Sequence, residues 1–170
     1  MIAATNAFQL NPDDPALIPE KRPRHRLNEL LFASWTQGIR PLDASAELSY
    51  RGFHDSFGVL AHTVECDWHQ KIGKSLVVSP VFRYYLQSAA DFYYVLVPDA
   101  NALPAVYSSD YRLSHLESFS AGLNVTWRVH KNLSLDAGYL RYVMRGLDGI
   151  TSQTAYPSAH VFTIGARLWF

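Results

Sequence analysis

The chain has 170 residues, and its 15 basic and 15 acidic side chains leave no formal net charge, so nothing in the charge favours nucleic acid as a partner. This length suits one domain or one compact barrel, and an apolar content of 48% excludes a disordered chain. One Cys excludes an internal disulfide and a cysteine-rich zinc site, and no stretch approaches the roughly 18 apolar residues of a spanning helix.

The first segment, residues 1–23, predicts a weak strand over 2–10 and then an outer loop. Four prolines and five charged residues make 11–23 a loop rather than a strand. Met1 opens no export signal, because no basic run is followed by an apolar run. We therefore expect either a cytosolic protein or a portion of a longer, exported one.

Seven further segments alternate between apolar and polar residues, and period two is typical of a strand with one apolar face. In 118–129, for example, Phe119 and Leu123 alternate with Ser118 and Asn124. The segment 133–145 places Arg141 on its apolar face, which a bulge or a rim position would explain. The predicted strands cover 24–37, 44–51, 60–69, 76–87, 118–129, 133–145 and 162–170.

Short and long connections largely alternate along the chain, with 54–57 as a short exception. The short ones are 38–42, 72–75 and 130–132, and the long ones are 11–23, 88–109 and 146–158. This pattern is typical of up-and-down membrane barrels. We predict an all-β fold, an antiparallel transmembrane β-barrel of about eight strands. Residues 1–170 would form either that whole domain or the C-terminal part of a larger barrel; a soluble β-sandwich or lipocalin-like barrel is the alternative.

Aromatic residues predict two belts at the two membrane surfaces. The four Trp fall near the ends that precede short connections: Trp35, Trp68, Trp127 and Trp169. Tyr residues collect near the opposite ends: Tyr50, Tyr84, Tyr85, Tyr111, Tyr139 and Tyr142. The terminal Phe170 resembles the signal that bacterial outer-membrane barrels present to their insertion machinery. Outer-membrane lipid and that machinery are therefore the expected partners.

Two stretches carry a resemblance to a known family. They are Tyr-Arg-Gly-Phe-His-Asp-Ser-Phe-Gly at 50–58 and Arg-Tyr-Tyr-Leu-Gln-Ser-Ala-Ala-Asp-Phe-Tyr at 83–93, followed by Ser-Asp-Tyr-Arg-Leu-Ser at 109–114. From about Arg24 to the end, the chain resembles the C-terminal half of domain-of-unknown-function family 3570, a bacterial family of predicted outer-membrane β-barrels. The resemblance implies a location in the outer membrane and no established activity. Members are usually longer and carry a signal peptide, which implies a C-terminal portion here.

Charged residues are expected to converge at the outer mouth of the barrel, together with Tyr85 and Gln87. They are Arg51, Asp55, Arg83, Asp91, Asp110 and Arg112. Three Arg and three Asp can form a neutral network of bidentate pairs that holds the loops and plugs the lumen. The same groups also suit a selectivity constriction or a ligand site facing water. A catalytic site is the third interpretation.

Sequence support for catalysis or metal binding is weak. His54, Asp55 and Ser56 are consecutive, and neighbours on a strand point to opposite faces, so a capped turn is favoured over a hydrolase triad. The seven His show no zinc-motif spacing. Cys66 falls on the apolar face as a small buried hydrophobe. We expect no cofactor, no metal and no enzyme.

Three functions remain open on the sequence. The first is a porin-like passage of small solutes gated by the Arg and Asp cluster. The second is a closed barrel that binds a protein partner or serves assembly through its outer loops, and the third is a lipid hydrolase at the rim. Side chains fill an eight-stranded barrel, whereas a larger one leaves a channel. The charged residues expected on the inner wall could either pair with one another and fill the lumen or face a water-filled channel: Glu47, Glu65, Asp67, Arg83 and Arg128.

Overall fold

The computed structural model describes residues 2–5, 17–97 and 104–170. Ten strands lie in this part: β1 (Ile2–Thr5), β2 (Leu17–Pro19), β3 (Asn28–Ile39), β4 (Ala44–Asp55), β5 (Leu60–Ile72), β6 (Leu76–Gln87), β7 (Leu96–Val97), β8 (Leu116–His130), β9 (Leu133–Gly146) and β10 (Ser158–Leu168). Three short 3-10 helices accompany them: Arg40–Leu42, Tyr111–Leu113 and Gln153–Ala155. No helix of the described part is long and apolar enough to cross a membrane.

Seven strands form one antiparallel sheet in the order β10-β9-β8-β6-β5-β4-β3. Consecutive strands of the sheet are neighbours in space, so the predicted all-β, up-and-down antiparallel arrangement is confirmed. The outer strands β3 and β10 do not pair with each other in the described part of the chain. The sheet is therefore open rather than closed into a barrel.

Residues 2–5, the described part of the predicted first strand 2–10, do not join this sheet, which has seven strands and not eight in the described part of the chain. These residues form β1, which pairs in parallel with β2 and antiparallel with β7 in a separate three-stranded sheet. Alternation is weakest in this stretch, so the local pattern does not select a partner strand. Both β2 and β7 form inside segments expected to be loops; residues 6–16 and 98–103 lie outside the described residues.

Short connections gather at one end of the sheet, which we call the short-turn end, and longer ones at the other, the loop end. At the short-turn end, β5 turns into β6 through Gly73, whose φ of 61° favours glycine. The 3-10 turn between β3 and β4 closes with Asp43 at a φ of 47°. At the loop end, Gly58 has a φ of 78° in the one tight connection, between β4 and β5.

Strand register carries the alternation across the sheet, with one register shift between β8 and β9 at Arg128–His130. Leu48 lies opposite Cys66, Cys66 opposite Phe82, and Phe82 opposite Ala121. One side of the sheet, the apolar face, therefore carries large hydrophobic side chains from all seven strands, although Leu30 and Phe32 of the outer strand β3 lie on the other side. Its exposed members include Leu31, Trp35, Leu48, Val64, Phe82, Phe119, Leu123, Leu135, Phe162 and Ile164.

Burial on the sheet is inverted relative to a water-soluble sheet. On β8, the polar Ser118 and Ser120 are each only 9% exposed, whereas Leu123 on the other side is 43% exposed. Cys66 lies on the apolar face as predicted, yet it is exposed rather than buried. The side opposite the apolar face, the polar face, is therefore the sheltered one.

The sheet curls around its polar face. Glu65 on β5 and Thr163 on β10 line the same cavity of about 310 Å³. These strands are four places apart in the sheet order, which would separate them by about 19 Å if the sheet were flat. A shared cavity requires curvature, so the polar face forms the inner wall of a trough.

Three loops pack together at the loop end around a small hydrophobic cluster, the loop core. Its buried members are Phe57, Val59, Ala90, Phe92 and Leu113. The rings of Phe57 and Phe92 meet edge to face with centroids 4.9 Å apart. Backbone bonds join the loops as well: the Ala90 amide donates to the Leu113 carbonyl at 2.8 Å. The loops thus form one packed unit.

Candidate functional site

A cavity of about 260 Å³ opens between the loop core and the polar face. Val59 and Leu113 of the loop core form one side of it, and Thr63 of β5 belongs to the polar wall. Its polar lining is dominated by four arginines with a tyrosine and a glutamine: Arg26, Arg51, Arg83, Arg112, Tyr85 and Gln87. We call this the arginine cavity.

Arg26 is held in place on two sides. Its Nε donates to Asp55 Oδ2 at 2.7 Å, and its Nη2 contacts the same oxygen. Its guanidinium carbon also lies 5.7 Å from the Phe53 ring centroid and 4.9 Å from that of Phe57. Asp55 is 1% exposed, and its Oδ1 accepts from the amides of Phe57 and Val59 at 2.9 and 3.1 Å. Both oxygens of this carboxylate are therefore occupied by hydrogen bonds that hold the loop in shape.

A second buried carboxylate, Asp110, lies beside the cavity and binds two arginines. Arg112 donates from Nε to Oδ1 at 3.0 Å and from Nη2 to Oδ2 at 2.6 Å, and Arg22 Nη2 reaches Oδ2 at 2.7 Å. Burial by itself would raise the pKa of Asp110, but these hydrogen bonds outweigh it and lower the pKa to about 2. Glu20 pairs with Arg22 and accepts from Ser108 Oγ at 2.7 Å.

Gln87 is buried and ties the sheet to the loop. Its Nε2 donates to the carbonyls of Arg112 and Ser114, both at 2.9 Å. Its Oε1 accepts from the Tyr85 hydroxyl at 2.6 Å. The amide therefore fixes the Tyr85 hydroxyl and the 3-10 helix that carries Arg112 in one arrangement.

The other two arginines are bound less tightly. Arg83 lies opposite Glu65 in the register, with a separation of 3.7 Å between Nε and Oε2. Arg51 makes neither an ion pair nor a side-chain hydrogen bond with any residue of the described part, although it lines the cavity. Positive charge thus exceeds its acidic partners at this point of the cavity.

The structure brings five of the predicted mouth residues to one cavity: Arg51, Arg83, Tyr85, Gln87 and Arg112. Asp55 and Asp110 lie next to it, bound to Arg26 and to Arg112 with Arg22. Asp91 is exposed and stands apart, with its carboxylate against the backbone of Gly58. The predicted network of three Asp paired with Arg51, Arg83 and Arg112 therefore does not form: within that set, which lies wholly in the described part of the chain, only Asp110 and Arg112 pair.

Arg22 and Arg26 were missed because neither lies on a strand with clear alternation. A usable signal exists for Arg26. The hairpin register places Asn28 opposite Asp55, and Arg26 precedes Asn28 by two residues, which brings it to the same end of the sheet as that carboxylate. Counting back from the turn at Arg40–Leu42 would have found the pair.

The side chains of the three consecutive residues His54, Asp55 and Ser56 contact different partners and do not contact one another as a hydrolase triad would. His54 Nδ1 lies 3.4 Å from Glu29 Oε2 on the apolar face, whereas the Asp55 carboxylate is bound to Arg26. The Ser56 hydroxyl accepts from the Leu27 amide at 3.0 Å. Among the described residues, moreover, no group of three or more His, Cys, Asp or Glu side chains is placed to hold a metal ion.

Aromatic residues divide between the two ends of the sheet. Trp35, Trp68 and Trp127 lie within four residues of the short-turn end, and the Trp169 amide bonds to the Asn132 carbonyl at the same end. Phe170 follows and is fully exposed.

Tyrosines at the loop end do not all share one face. Tyr50 and Tyr84 lie on the apolar face toward the loop end, and Tyr139 lies on the same face at mid-strand, opposite Leu123. Each of these hydroxyls bonds to a side chain of the next strand: His62 at 2.7 Å, Glu117 at 2.8 Å and His160 at 2.9 Å. Tyr85 and Tyr142, by contrast, lie on the polar face, opposite Ser118 and Ser120. The ring of Tyr85 is therefore on the polar side of its strand, as the alternation in 76–87 predicts.

Acid is expected to loosen the loops through Asp110. A lowered pKa in the fold means that the ionised carboxylate adds stability above the unfolded value of about 4, and that this is lost as pH falls toward about 2. Urea unfolding of the wild type and of Asp110→Asn should differ by a constant amount from about pH 5 to 7 and converge near about pH 2. A difference that persists unchanged at about pH 2 would contradict the ion-pair account.

No curated protein and no solved structure matches the chain. A family model does match, over residues 4–159, which is most of the chain. Its description is "Protein of unknown function (DUF3570)". Because the match covers most of its length, the chain belongs to that family.

Proposed function

We propose that this chain forms the wall of a transmembrane β-barrel in the bacterial outer membrane. The observation that carries the proposal is the exposed apolar face, which runs through all seven strands while small polar side chains are sheltered on the other side. An exposed apolar surface of this extent would associate in water, whereas hydrocarbon tails cover it without cost.

Strand lengths agree with a membrane crossing. The seven strands have between 11 and 15 residues, and a tilted strand needs about 9–11 residues to cross the hydrocarbon core. The Trp of the apolar face at the short-turn end and the hydrogen-bonded Tyr50 and Tyr84 toward the loop end would then lie at the two interfaces, where amphipathic rings are favoured. Phe170 would serve as the signal to the insertion machinery.

Two sheet edges need partners before such a wall can enter lipid. The edges of β3 and β10 carry unpaired backbone groups in the described part of the chain, and each group left unpaired in hydrocarbon costs several kcal/mol, of order 4. Further strands must cover them, which favours a barrel larger than the seven strands seen. Larger barrels leave room for water in the lumen.

We infer from this size a porin-like passage for small solutes, with the arginine cavity as its narrow point. Planar bilayers test it: the wild type should give stepwise ionic currents, and Arg83→Ala should shift the reversal potential in a KCl gradient toward the value for cations. Arg145→Ala is the matched control, because Arg145 lies on the apolar face opposite Glu117.

Unchanged ion selectivity in Arg83→Ala would show that ions do not pass through the arginine cavity. Protein that is inserted, as judged by a band whose gel mobility changes on boiling, and yet carries no current would support the second candidate. That candidate is a closed barrel that binds a partner or serves assembly through its outer loops, and the packed loop core at the loop end favours it.

A further inference from the structure

The arginine cavity has an excess of positive charge that an anionic ligand would neutralise. Its lining contains four guanidiniums and no carboxylate. Asp55 next to it is saturated by Arg26 and two backbone amides, and Asp110 is shared between Arg112 and Arg22. Neither carboxylate is available to neutralise Arg51.

Arg51 itself is placed to receive an anion. It lies on β4, opposite Thr63 of the polar face, and no acidic side chain of the described residues pairs with it. Arg83, on β6 and separated from β4 by one strand, has only one long ion-pair contact, of 3.7 Å, to Glu65. Both side chains are exposed to water, so an incoming anion would not have to displace a buried ion pair.

Several contacts preorganise the walls. Arg26 is clamped between Asp55 and two aromatic rings, and buried Gln87 holds Tyr85 and the helix of Arg112. A site whose donors are already held in place avoids part of the entropy cost of binding.

Cavity volume limits the ligand. About 260 Å³ corresponds to roughly eight or nine water molecules of liquid volume and falls just below the usual range for drug-sized ligands. Guanidinium groups match the oxygen pairs of phosphate and carboxylate groups in bidentate contacts. We propose that the arginine cavity is a binding site for a small soluble oxyanion of the phosphate class, with Arg51 and Arg83 as its open ligands.

The inference deepens the proposed solute passage by naming a ligand class, but its test does not depend on conduction. Inorganic phosphate is titrated calorimetrically into the full chain folded in neutral detergent micelles, with strand content checked by circular dichroism. Arg51→Gln should weaken phosphate binding about tenfold or more, since hydrogen bonds to charged groups contribute that much. Arg145→Gln removes the same charge on the apolar face, opposite Glu117, and should bind as the wild type does.

Equal affinities in the wild type and Arg51→Gln would overturn the site, as would an equal loss in Arg145→Gln. A second arm adds an anionic phospholipid to the micelles, and phosphate affinity should not change. Competition by the lipid would overturn the assignment to a soluble anion and point to a headgroup. Phosphate binding without current would disprove the channel alone, and current without phosphate binding would disprove the ligand site alone.

Discussion

Leu123→Arg is expected to prevent folding into lipid vesicles, whereas Asn124→Arg, one residue further along β8, is expected to fold. Leu123 lies in the middle of the strand on the apolar face and is 43% exposed. An arginine facing lipid at the bilayer midplane costs about 2–4 kcal/mol. Asn124 lies on the polar face and lines a cavity of about 310 Å³, which offers space for a longer side chain.

The measurement is the fraction of protein that shows a compact band before boiling, after refolding into vesicles, together with the urea midpoint. The two variants add the same side chain to adjacent positions, so net charge and helix or strand propensity are matched. Equal folding of both would contradict a lipid-facing apolar face. Failure of Asn124→Arg alone would mean that the polar face is covered and that the apolar face is the one in water.

Asp55→Ala is expected to open the loop end, with a loss of about 3–5 kcal/mol in unfolding free energy, because it leaves Arg26 and two buried amides without their acceptor. Asp55→Asn keeps an oxygen for the amides and should lose less. Asp91→Ala is the matched control, since this aspartate is exposed in a neighbouring loop and should change stability by at most about 0.5 kcal/mol.

Urea unfolding measures these differences, and limited proteolysis locates the opened segment. Cleavage should appear first near residues 56–59 and 88–95 in Asp55→Ala, since these loops share the loop core. An Asp91→Ala effect as large as that of Asp55→Ala would show that any charge change at the loop end destabilises it and would contradict the specific role of Asp55.

Much of the fold follows from local alternation. The segments 76–87 and 118–129 correspond to β6 and β8, and 133–145 to β9, with bounds that differ by three residues or fewer. Side chains of a strand alternate whatever its neighbours are, so each segment identifies its own two faces. The prediction that 2–10 belongs to the same sheet is wrong for its described residues 2–5, because weak alternation leaves the choice of partner strand to contacts between residues far apart in the chain.

Part of the candidate site was predictable for the same reason. Parity and strand direction place Arg51, Arg83 and Tyr85 on the polar face at the loop end, where the structure has them. Arg22 lies in the predicted loop 11–23, where no alternation indicates that it binds Asp110. Arg26 lies at the start of the weakly alternating segment 24–37, and only the hairpin register brings it to the end of the sheet that carries Asp55. The exposed position of Asp91 likewise depends on how the loops pack.

The sequence by itself determined which side of each strand is apolar, where the turns fall and which polar residues share a face, because these depend on a period of two residues. Only the tertiary structure decided that the described sheet has seven strands and stays open, that three loops pack into one core, and that Arg51 is left without an acidic partner among the described residues. Each of these rests on contacts between residues far apart in the chain, and local alternation carries no information about them.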